Sequence, residues 1–342
     1  MLRRWWSSLK AVGRVVASAF ITLLGLLLVT FLIGRLLPVD PVLAVVGEQA
    51  SAETYAKTRA ELGLDKPLPE QLLIYAKDVA TGNLGKSFFT GNPITQDLRA
   101  VFPATVELAV AAILIGVCLG VPLGIWAATR QNGWPDHVVR LVGILGHSIP
   151  SFWLGMLGLL VFYAKLGWVP GTGRVSDLFD GVVVPHSGFM ILDALLDGRL
   201  DVARDAAAHL VLPASILGVF SVANISRMMR NFVLAELRQE YVTTARIKGL
   251  TGLSIIWRHV LPNTLVPLTT VIALAFGSLL EGAVLTETIF GWPGLGLYMK
   301  NSLLNADMNA VMGGTLLIGT VFIGLNLTTD LLARLFDPRA AI

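Results

Sequence analysis

Long apolar runs alternate with polar, charged segments along this chain, and the length of the runs decides the fold class. Each run is about 18 to 25 residues long, enough for a helix to span the roughly 30 Å hydrocarbon core of a bilayer. The six runs are Val15–Leu37, Ala104–Ala128, Val138–Tyr163, His209–Ser226, Leu265–Leu285 and Ala310–Leu332. The pattern therefore predicts six transmembrane segments.

The composition supports the same conclusion, because 54% of the residues are hydrophobic and only 14% are charged. A soluble globular domain does not hide that much apolar surface. Within lipid the backbone must satisfy its own hydrogen bonds, so a span is either a helix or part of a closed barrel. The runs are too continuous for the alternating pattern of a barrel strand. We therefore expect an all-α polytopic membrane protein.

The orientation in the membrane follows from the distribution of Lys and Arg between two alternating sets of connecting segments. The first set consists of residues 1–14, 129–140, 226–262 and 334–342. The second set consists of residues 38–103, 165–208 and 287–308. The first set holds 14 Lys and Arg against 4 acidic residues, whereas the second and longer set holds 11 against 16. Because Lys and Arg concentrate in short cytoplasmic loops, the first set and both termini are expected in the cytoplasm.

The runs and loops also predict the organisation of the chain. The expected parts are residues 1–37, an N-terminal interfacial segment with the first span; residues 38–103, an extracytoplasmic region; and residues 104–342, the membrane core. Trp5 and Trp6 stand beside arginines, which is typical of a segment at the membrane interface. The core contains an outer excursion at 165–208 and a cytoplasmic loop at 227–262.

Signals for catalysis or cofactor binding are scarce. Gly85-Lys86-Ser87 matches the end of a phosphate-binding loop, G-x-x-x-x-G-K-[ST], but Ala80 stands where the first glycine belongs. Neither an H-E-x-x-H motif, nor a Cys–His cluster, nor a G-x-S-x-G elbow is present. The sequence therefore predicts no catalytic, metal or cofactor residues in this chain.

Small residues and prolines predict how the spans pack. Gly116, Gly120 and Gly124 stand four residues apart, so they line one helix face and let another helix approach closely. Packing is the favoured interpretation of these glycines over a role in transport. Prolines that predict local breaks or kinks are Pro122, Pro150 and Pro213.

Ionisable residues inside or beside the spans are candidates for a transport path. Glu281 stands four residues after Gly277 and eight after Ala273, on a small-residue face of the fifth span. It is expected to face protein or a watery path, where its carboxylate could meet an amine; an interfacial position near the outer end of the span is the alternative. Glu287 is a second candidate for the path.

The most distinctive polar segment is Glu240–Asn263, EYVTTARIKGLTGLSIIWRHVLPN, between the fourth and fifth runs. The triplet Thr243-Thr244-Ala245 is followed by Gly249, and Pro262 comes thirteen residues after that glycine. A basic loop that only meets anionic lipid would not require this placement of Gly and Pro. The spacing resembles the EAA loop of ABC-importer membrane subunits.

The resemblance extends over nearly the full length, in the order of one family. The segments that carry it are ELGLDKPLPEQ, GNLGKS and FPATVELA; IPSFWLGMLGLLVF and LGWVPGTG; HLVLPASILG and RMMR; and ETIFGWPGLG. The chain thus resembles the B-type membrane subunits of the dipeptide/oligopeptide/nickel family of ABC importers. It departs from the usual pattern at Asn83 (commonly acidic), Thr243 (commonly Glu) and His259 (commonly apolar), and the last two departures are common in the peptide-importing branch.

This resemblance implies a type I importer permease fold with six transmembrane helices. It also implies that Ala245–Leu253 forms one short helix parallel to the membrane, whose apolar side inserts into a groove of an ATPase subunit. The residues implied in this coupling are Tyr241, Thr243, Thr244, Ala245, Arg246, Lys248, Gly249, Leu250, His259 and Pro262. The residues implied at the outer mouth or in contact with a binding protein are Trp292, Pro293 and Gly294.

In functional terms, the resemblance implies a non-catalytic permease subunit of an ATP-driven, binding-protein-dependent importer in the bacterial inner membrane. The implied partners are a homologous second permease, two ATPase subunits that bind ATP and Mg²⁺, and an extracytoplasmic binding protein. Di- or oligopeptides are the first expected substrates, with nickel chelates, glutathione, opines or short sugars as alternatives. A secondary transporter would need more ionisable groups within the membrane, and a channel would not explain the coupling loop.

Overall fold

A computed structural model describes residues 2–36, 41–47, 49–61 and 63–336 of the chain. Its helices, in chain order, are α1 Leu2–Leu36, α2 Pro41–Val46, α3 Ala52–Glu61, α4 Leu68–Ala80, α5 Ile94–Thr129, α6 Trp134–Ser148, α7 Ser151–Gly158, α8 Met190–Leu196, α9 Leu200–Leu237, α10 Glu240–Ile247, α11 Gly252–Ile255, α12 Leu261–Phe290, α13 Leu295–Leu304 and α14 Met308–Phe336. Shorter segments are the π-helical turns Leu159–Lys165 and Ile256–Val260, the 3₁₀ turn Asp177–Phe179, and one isolated β-bridge between Lys86 and Pro93. The all-α prediction is confirmed for the described residues. The side chains of Trp5 and Trp6, on α1, lie outside the described part.

Five helical stretches are long and apolar enough to cross a membrane. They are Ala17–Arg35, Ile94–Thr129, Leu200–Leu237, Gly252–Phe290 and Met308–Thr329. The predicted third span is instead two helices, α6 and α7, which are bent by 99° relative to each other. Ile149, before Pro150, has extended backbone angles, because proline lacks an amide hydrogen and disfavours a helical conformation at the residue before it. The described residues therefore hold six spans only if this bent pair counts as one.

The chain divides into two compact units, of which the first comprises Met1–Pro103 and Gly294–Gly324 and the second Ala104–Pro293 and Leu325–Ile342. In the first unit, α1 packs against α4: the rings of Phe31 and Tyr75 lie 5.8 Å apart, and the hydroxyls of Thr30 and Tyr75 are 3.3 Å apart. Carboxylates hold the connecting turns of this unit. Asp307 Oδ2 accepts hydrogen bonds from the Ser87 hydroxyl at 2.6 Å and from the Phe89 amide at 3.2 Å.

In the second unit, α9 lies at the centre and contacts α6, α7, α8 and α12. The three glycines of α5 face it. A Cβ atom at Gly116 would lie 2.4 Å from the Cβ of Ser221, and one at Gly124 would lie 2.6 Å from the carbonyl oxygen of Ser226. At Gly120 the nearest atoms, on Ile225, would be 3.1 Å away. The packing interpretation of these glycines is confirmed.

Gly124→Ala is expected to lower the thermal stability of the folded chain. The new methyl group would also lie 3.0 Å from the backbone nitrogen of Arg230, and a backbone clash cannot be relieved by rotating a side chain. Overpacking of this kind costs about 1–3 kcal/mol. Gly143→Ala on α6 is the matched control, because a Cβ there meets nothing within 4 Å. Equal unfolding temperatures of the two variants in detergent would contradict the close packing of α5 on α9.

The outer excursion at 165–208 is fixed to the second unit by buried charges. The Arg174 guanidinium donates to Glu107 Oε2 at 2.5 Å and 2.9 Å and to the carbonyl oxygen of Gly188 at 2.7 Å. Glu107, on α5, is 8% exposed, and its other carboxylate oxygen accepts from the Ile191 amide at 3.1 Å. Asp205 of α9 accepts from the amide and the hydroxyl of Ser176 at 2.7 Å and 2.6 Å. The excursion is therefore an ordered part of the second unit.

Candidate functional site

The segment from Glu240 to Pro262, which we call the coupling segment, is a pair of short helices joined by a tight turn. The expectation of one helix over Ala245–Leu253 is wrong, because the chain breaks at Gly249. This residue has φ +78°, a left-handed conformation that ends helices and suits glycine. Its amide donates to the carbonyl oxygen of Arg246 at 2.9 Å, which closes α10. Thr251 then caps α11, since its hydroxyl oxygen accepts from the Ser254 amide at 3.4 Å.

The base of the coupling segment is anchored in the second unit by buried side chains. The buried members are Val242, Ala245, Ile255 and Val260, each no more than 6% exposed. The Tyr241 hydroxyl donates to the Glu236 carboxylate at the end of α9 and accepts from the Asn263 amide group of α12 at 3.2 Å. Burial is the main cause that raises the pKa of Tyr241, and the bond to Glu236 is the second. The phenol therefore stays protonated at neutral pH. The segment is thus tied to both α9 and α12.

The tip of the coupling segment is apolar and exposed. Ile247 is 83% exposed and Leu253 69%, while Leu250 between them is 38% exposed. The side chains of Arg246 and Lys248 are also exposed. Large apolar side chains at the end of a polar, well-anchored loop are typical of residues that insert into a partner protein.

The structure also places the remaining expected coupling residues. Thr243 and Thr244 lie exposed on α10, where the Thr244 hydroxyl donates to the carbonyl oxygen of Glu240 at 3.1 Å. Pro262 is exposed in the first turn of α12. His259 is half-buried in the π-helical turn, and its carbonyl oxygen lies 3.4 Å from the oxygen of the Tyr241 hydroxyl. The first three residues lie on the accessible surface, whereas His259 belongs to the base.

A second feature is a groove of about 350 Å³ among α7, α9 and α12. Its polar lining consists of Ser151, Ser221, Asn224 and Ser278, and its apolar lining includes Phe220 and Leu279. The Ser221 hydroxyl is buried and has no hydrogen-bond partner. Buried hydroxyls are normally paired, so this one can bind a polar group that enters the groove. Neutral hydroxyl and amide groups of this kind suit the amide groups of a peptide.

The two glutamates expected on a path occupy different environments. Glu281 is exposed on α12, about one turn beyond Ser278, and is not one of the residues that line the polar groove. Glu287 is fully buried and accepts a hydrogen bond from the Thr105 hydroxyl of α5 at 2.6 Å. The exposure of Glu281 leaves its carboxylate accessible, so a role on a path stays a prediction for it, whereas the position of Glu287 supports a structural role between α5 and α12.

Replacement of each glutamate by alanine separates these roles. Glu287→Ala is expected to lower the free energy of unfolding by about 1–3 kcal/mol, because it removes a buried hydrogen bond to a charged group. Glu281→Ala is the matched control on the same helix and is expected to leave stability nearly unchanged, since the side chain is exposed. Thermal unfolding of the purified variants checks this. A larger loss of stability in Glu281→Ala would contradict both assignments.

The turn that follows α12 contains Gly291, Trp292, Pro293 and Gly294, which differ in their exposure. Gly291 is left-handed with φ +57°, which ends the helix. Trp292 is 1% exposed, and its indole nitrogen donates to the carbonyl oxygen of Ala104 at 2.9 Å. Trp292 therefore packs within the second unit and offers almost no surface to a binding protein, so the expected contact with one is wrong for this side chain, while a position at the outer mouth stays a prediction. Pro293 is exposed, and Gly294 is buried.

Sequence reasoning missed several of these residues. The polar groove had a weak signal, because Ser221 and Asn224 are uncharged polar residues three apart within the fourth apolar run. No sequence pattern indicates the hydrogen bond between Tyr241 and Glu236, because this bond depends on how two helices meet. The residues predicted on a path were charged, whereas the polar groups that line the groove are neutral.

Comparison with known proteins places the chain among transport components. Residues 120–342 match the family described as binding-protein-dependent transport system inner membrane component, and residues 8–109 match the N-terminal region of such membrane components. The probable D,D-dipeptide transport system permease DdpB of Escherichia coli K12 is 43% identical over 92% of each chain. The di/tripeptide transport system permease DppB of Pseudomonas aeruginosa is 40% identical over 97% of this chain and 98% of the relative, and the dipeptide permease DppB of E. coli K12 is 41% identical over 93% and 94%.

A solved structure gives the same result for the fold. The MetNI methionine ABC transporter in an inward-facing conformation matches with a TM-score of 0.50 at 17% identity, over 68% of this chain and 93% of the other. The type I importer permease fold is thereby confirmed. The chain belongs to the family of multi-pass membrane components of binding-protein-dependent transport systems.

Proposed function

We propose that the chain is one of two homologous, non-identical permease subunits of an ATP-driven importer for short peptides. Two ATPase subunits bind ATP and Mg²⁺ and supply the energy, while the chain itself holds no cofactor and carries out no chemistry. An extracytoplasmic binding protein delivers the substrate. The complex lies in the bacterial inner membrane, with both termini of this chain in the cytoplasm, as the distribution of Lys and Arg favours.

The observation that carries this proposal is the coupling segment. Its tip exposes Ile247 and Leu253, while Tyr241 ties its base to α9 and α12. A partner protein that binds the tip therefore moves α9 and α12 together, so the coupling segment acts as a lever. Such a movement can rock one group of helices against another and alternate access to a path.

The peptide substrate is supported by the relatives and by the polar groove. The relatives carry names that refer to D,D-dipeptides, dipeptides and di/tripeptides. The groove offers the hydroxyl of Ser221 and the amide of Asn224 to peptide groups, and the exposed carboxylate of Glu281, about one turn beyond Ser278, is available to an amine.

Purification of the tagged chain from its native membrane tests the proposal. Mass spectrometry is expected to find a second permease, an ATPase and a binding protein, and short peptides are expected to elute from that binding protein. Isolation of the chain alone, or only with copies of itself, would contradict the importer. Elution of a metal chelate or a sugar would contradict the peptide substrate while leaving the importer intact.

A further inference from the structure

A polar cavity of about 580 Å³ lies in the first unit, and none of its lining residues belongs to the coupling segment or to the polar groove. It is lined by the end of α1, the end of α3, α4, the turn after α4 and the start of α14. Its polar lining includes Arg35, Glu61, Lys66, Gln71, Asp78 and Asn309. Nothing in the coupling mechanism uses these residues.

Two buried polar atoms among the residues that line this cavity have no hydrogen-bond partner. They are the Nε of Arg35, a donor, and the Oε1 of Gln71, an acceptor. Gln71 is 8% exposed, and its amide nitrogen donates to the carbonyl oxygen of Lys66 at 2.8 Å, which fixes the orientation of the side chain. Buried polar atoms are normally paired, so the cavity offers a ready donor and a ready acceptor to a ligand.

The charges around the cavity complement a zwitterion. Among the residues that the structure describes, no carboxylate forms an ion pair with Arg35, and its guanidinium lies 5.8 Å from the centre of the Phe31 ring. It is therefore available to an anionic oxygen. The carboxylates of Glu61 and Asp78 also line the cavity, and they favour a ligand that carries an ammonium group as well.

The position of the cavity at the end of a span points to a lipid. Arg35 is the last residue of the membrane-crossing stretch Ala17–Arg35, so the cavity lies at the depth of the headgroups. Leu32 and Leu28 precede Arg35 by three and seven residues, on the same helix face, and they are 37% and 43% exposed. This apolar face provides a track for acyl chains directly below the cavity.

We propose that this cavity binds the phosphoethanolamine headgroup of a membrane phospholipid. The phosphate is bound by the Arg35 guanidinium, and the ammonium group donates to Gln71 Oε1 and faces Glu61 and Asp78. A free short peptide is also a zwitterion, but it has no acyl chains for the face formed by Leu28 and Leu32. The proposal does not depend on the transported substrate or on the coupling segment.

Retention of lipid by the purified full-length chain tests the proposal. The chain in detergent is incubated with equal amounts of phosphatidylethanolamine, phosphatidylcholine and phosphatidylglycerol, and bound lipids are counted by native mass spectrometry. We expect phosphatidylethanolamine to be retained about tenfold over phosphatidylcholine, whose quaternary ammonium cannot donate a hydrogen bond, since one charged hydrogen bond supports such a ratio. Equal retention of the three lipids by the wild-type chain would overturn the proposal without any variant.

Variants then locate the site. Arg35→Gln is expected to lower the retention of phosphatidylethanolamine, because it removes the contact with the phosphate, and Arg35→Lys, which keeps the positive charge, to retain part of it. Arg59→Gln is the matched control, because Arg59 lies on α3 and does not line the cavity. Unchanged retention in a folded Arg35→Gln chain would overturn the proposal. Displacement of phosphatidylethanolamine by excess dialanine would overturn the lipid assignment in favour of a soluble zwitterion.

Discussion

Gly249→Pro is expected to abolish peptide uptake while the chain still inserts into the membrane. Gly249 has φ +78°, whereas proline fixes φ near −65°, so the turn between α10 and α11 cannot form. The variant also loses the hydrogen bond from the Gly249 amide to Arg246. Together these changes cost about 3 kcal/mol or more at the turn, which is enough to displace the tip of the coupling segment. Uptake of labelled dipeptide by cells that carry the variant measures the effect.

The matched control is Gly252→Pro, three residues further along the same segment. Gly252 is the first residue of α11, where proline is readily accepted, and a Cβ there meets nothing within 4 Å. Thr251 before it is already extended, with φ −68° and ψ 150°, as a residue before proline prefers to be. We expect this variant to transport normally. Normal uptake in Gly249→Pro would refute the lever.

The double replacement Ile247→Asp with Leu253→Asp is expected to release the ATPase from the complex. Both side chains are mostly exposed in the chain alone, so the replacement leaves the fold intact. At the interface, each buried apolar side chain contributes about 1.5–3 kcal/mol, so the loss of both weakens binding by about 100-fold or more. Co-purification of the ATPase with the tagged chain measures the loss.

Leu178→Asp is the control for this pair. Leu178 is 87% exposed in the outer excursion, so the chemical change and the exposure match those at the tip while the location differs. We expect the ATPase to be retained in this variant. Equal loss of the ATPase in both proteins would mean that the aspartates act on stability and not on the contact.

The fold was predictable wherever one strong physical requirement decides it. Apolar runs must become helices in lipid, and five of the six predicted runs are single spanning helices. The glycines of α5 were predictable for the same reason, since only small residues permit close packing within a membrane. The break between α6 and α7 was less accessible, because a proline in a span can either kink the helix or end it, and surrounding contacts decide between the two.

For the candidate site, the sequence predicts a position along the chain but not the local structure. The spacing of Thr243, Gly249 and Pro262 identified the coupling segment, yet it did not show that Gly249 separates two helices. A glycine in a helical pattern is compatible with either outcome until its φ is known. Trp292 was expected at the outer mouth or in contact with a binding protein, and Glu287 on a path, yet both side chains are buried. Burial of such residues depends on contacts distant in the sequence, such as those with Ala104 and Thr105.

The most direct test of the account is photo-crosslinking from the tip of the coupling segment in native membranes. A photo-crosslinking amino acid is introduced in place of Ile247 in one protein and in place of Leu178 in another, and captured proteins are identified by mass spectrometry. The account predicts that the probe at position 247 captures the ATPase and that the probe at position 178 does not. Capture of the ATPase at 178, or its absence at 247 in a complex that still transports, would contradict the account.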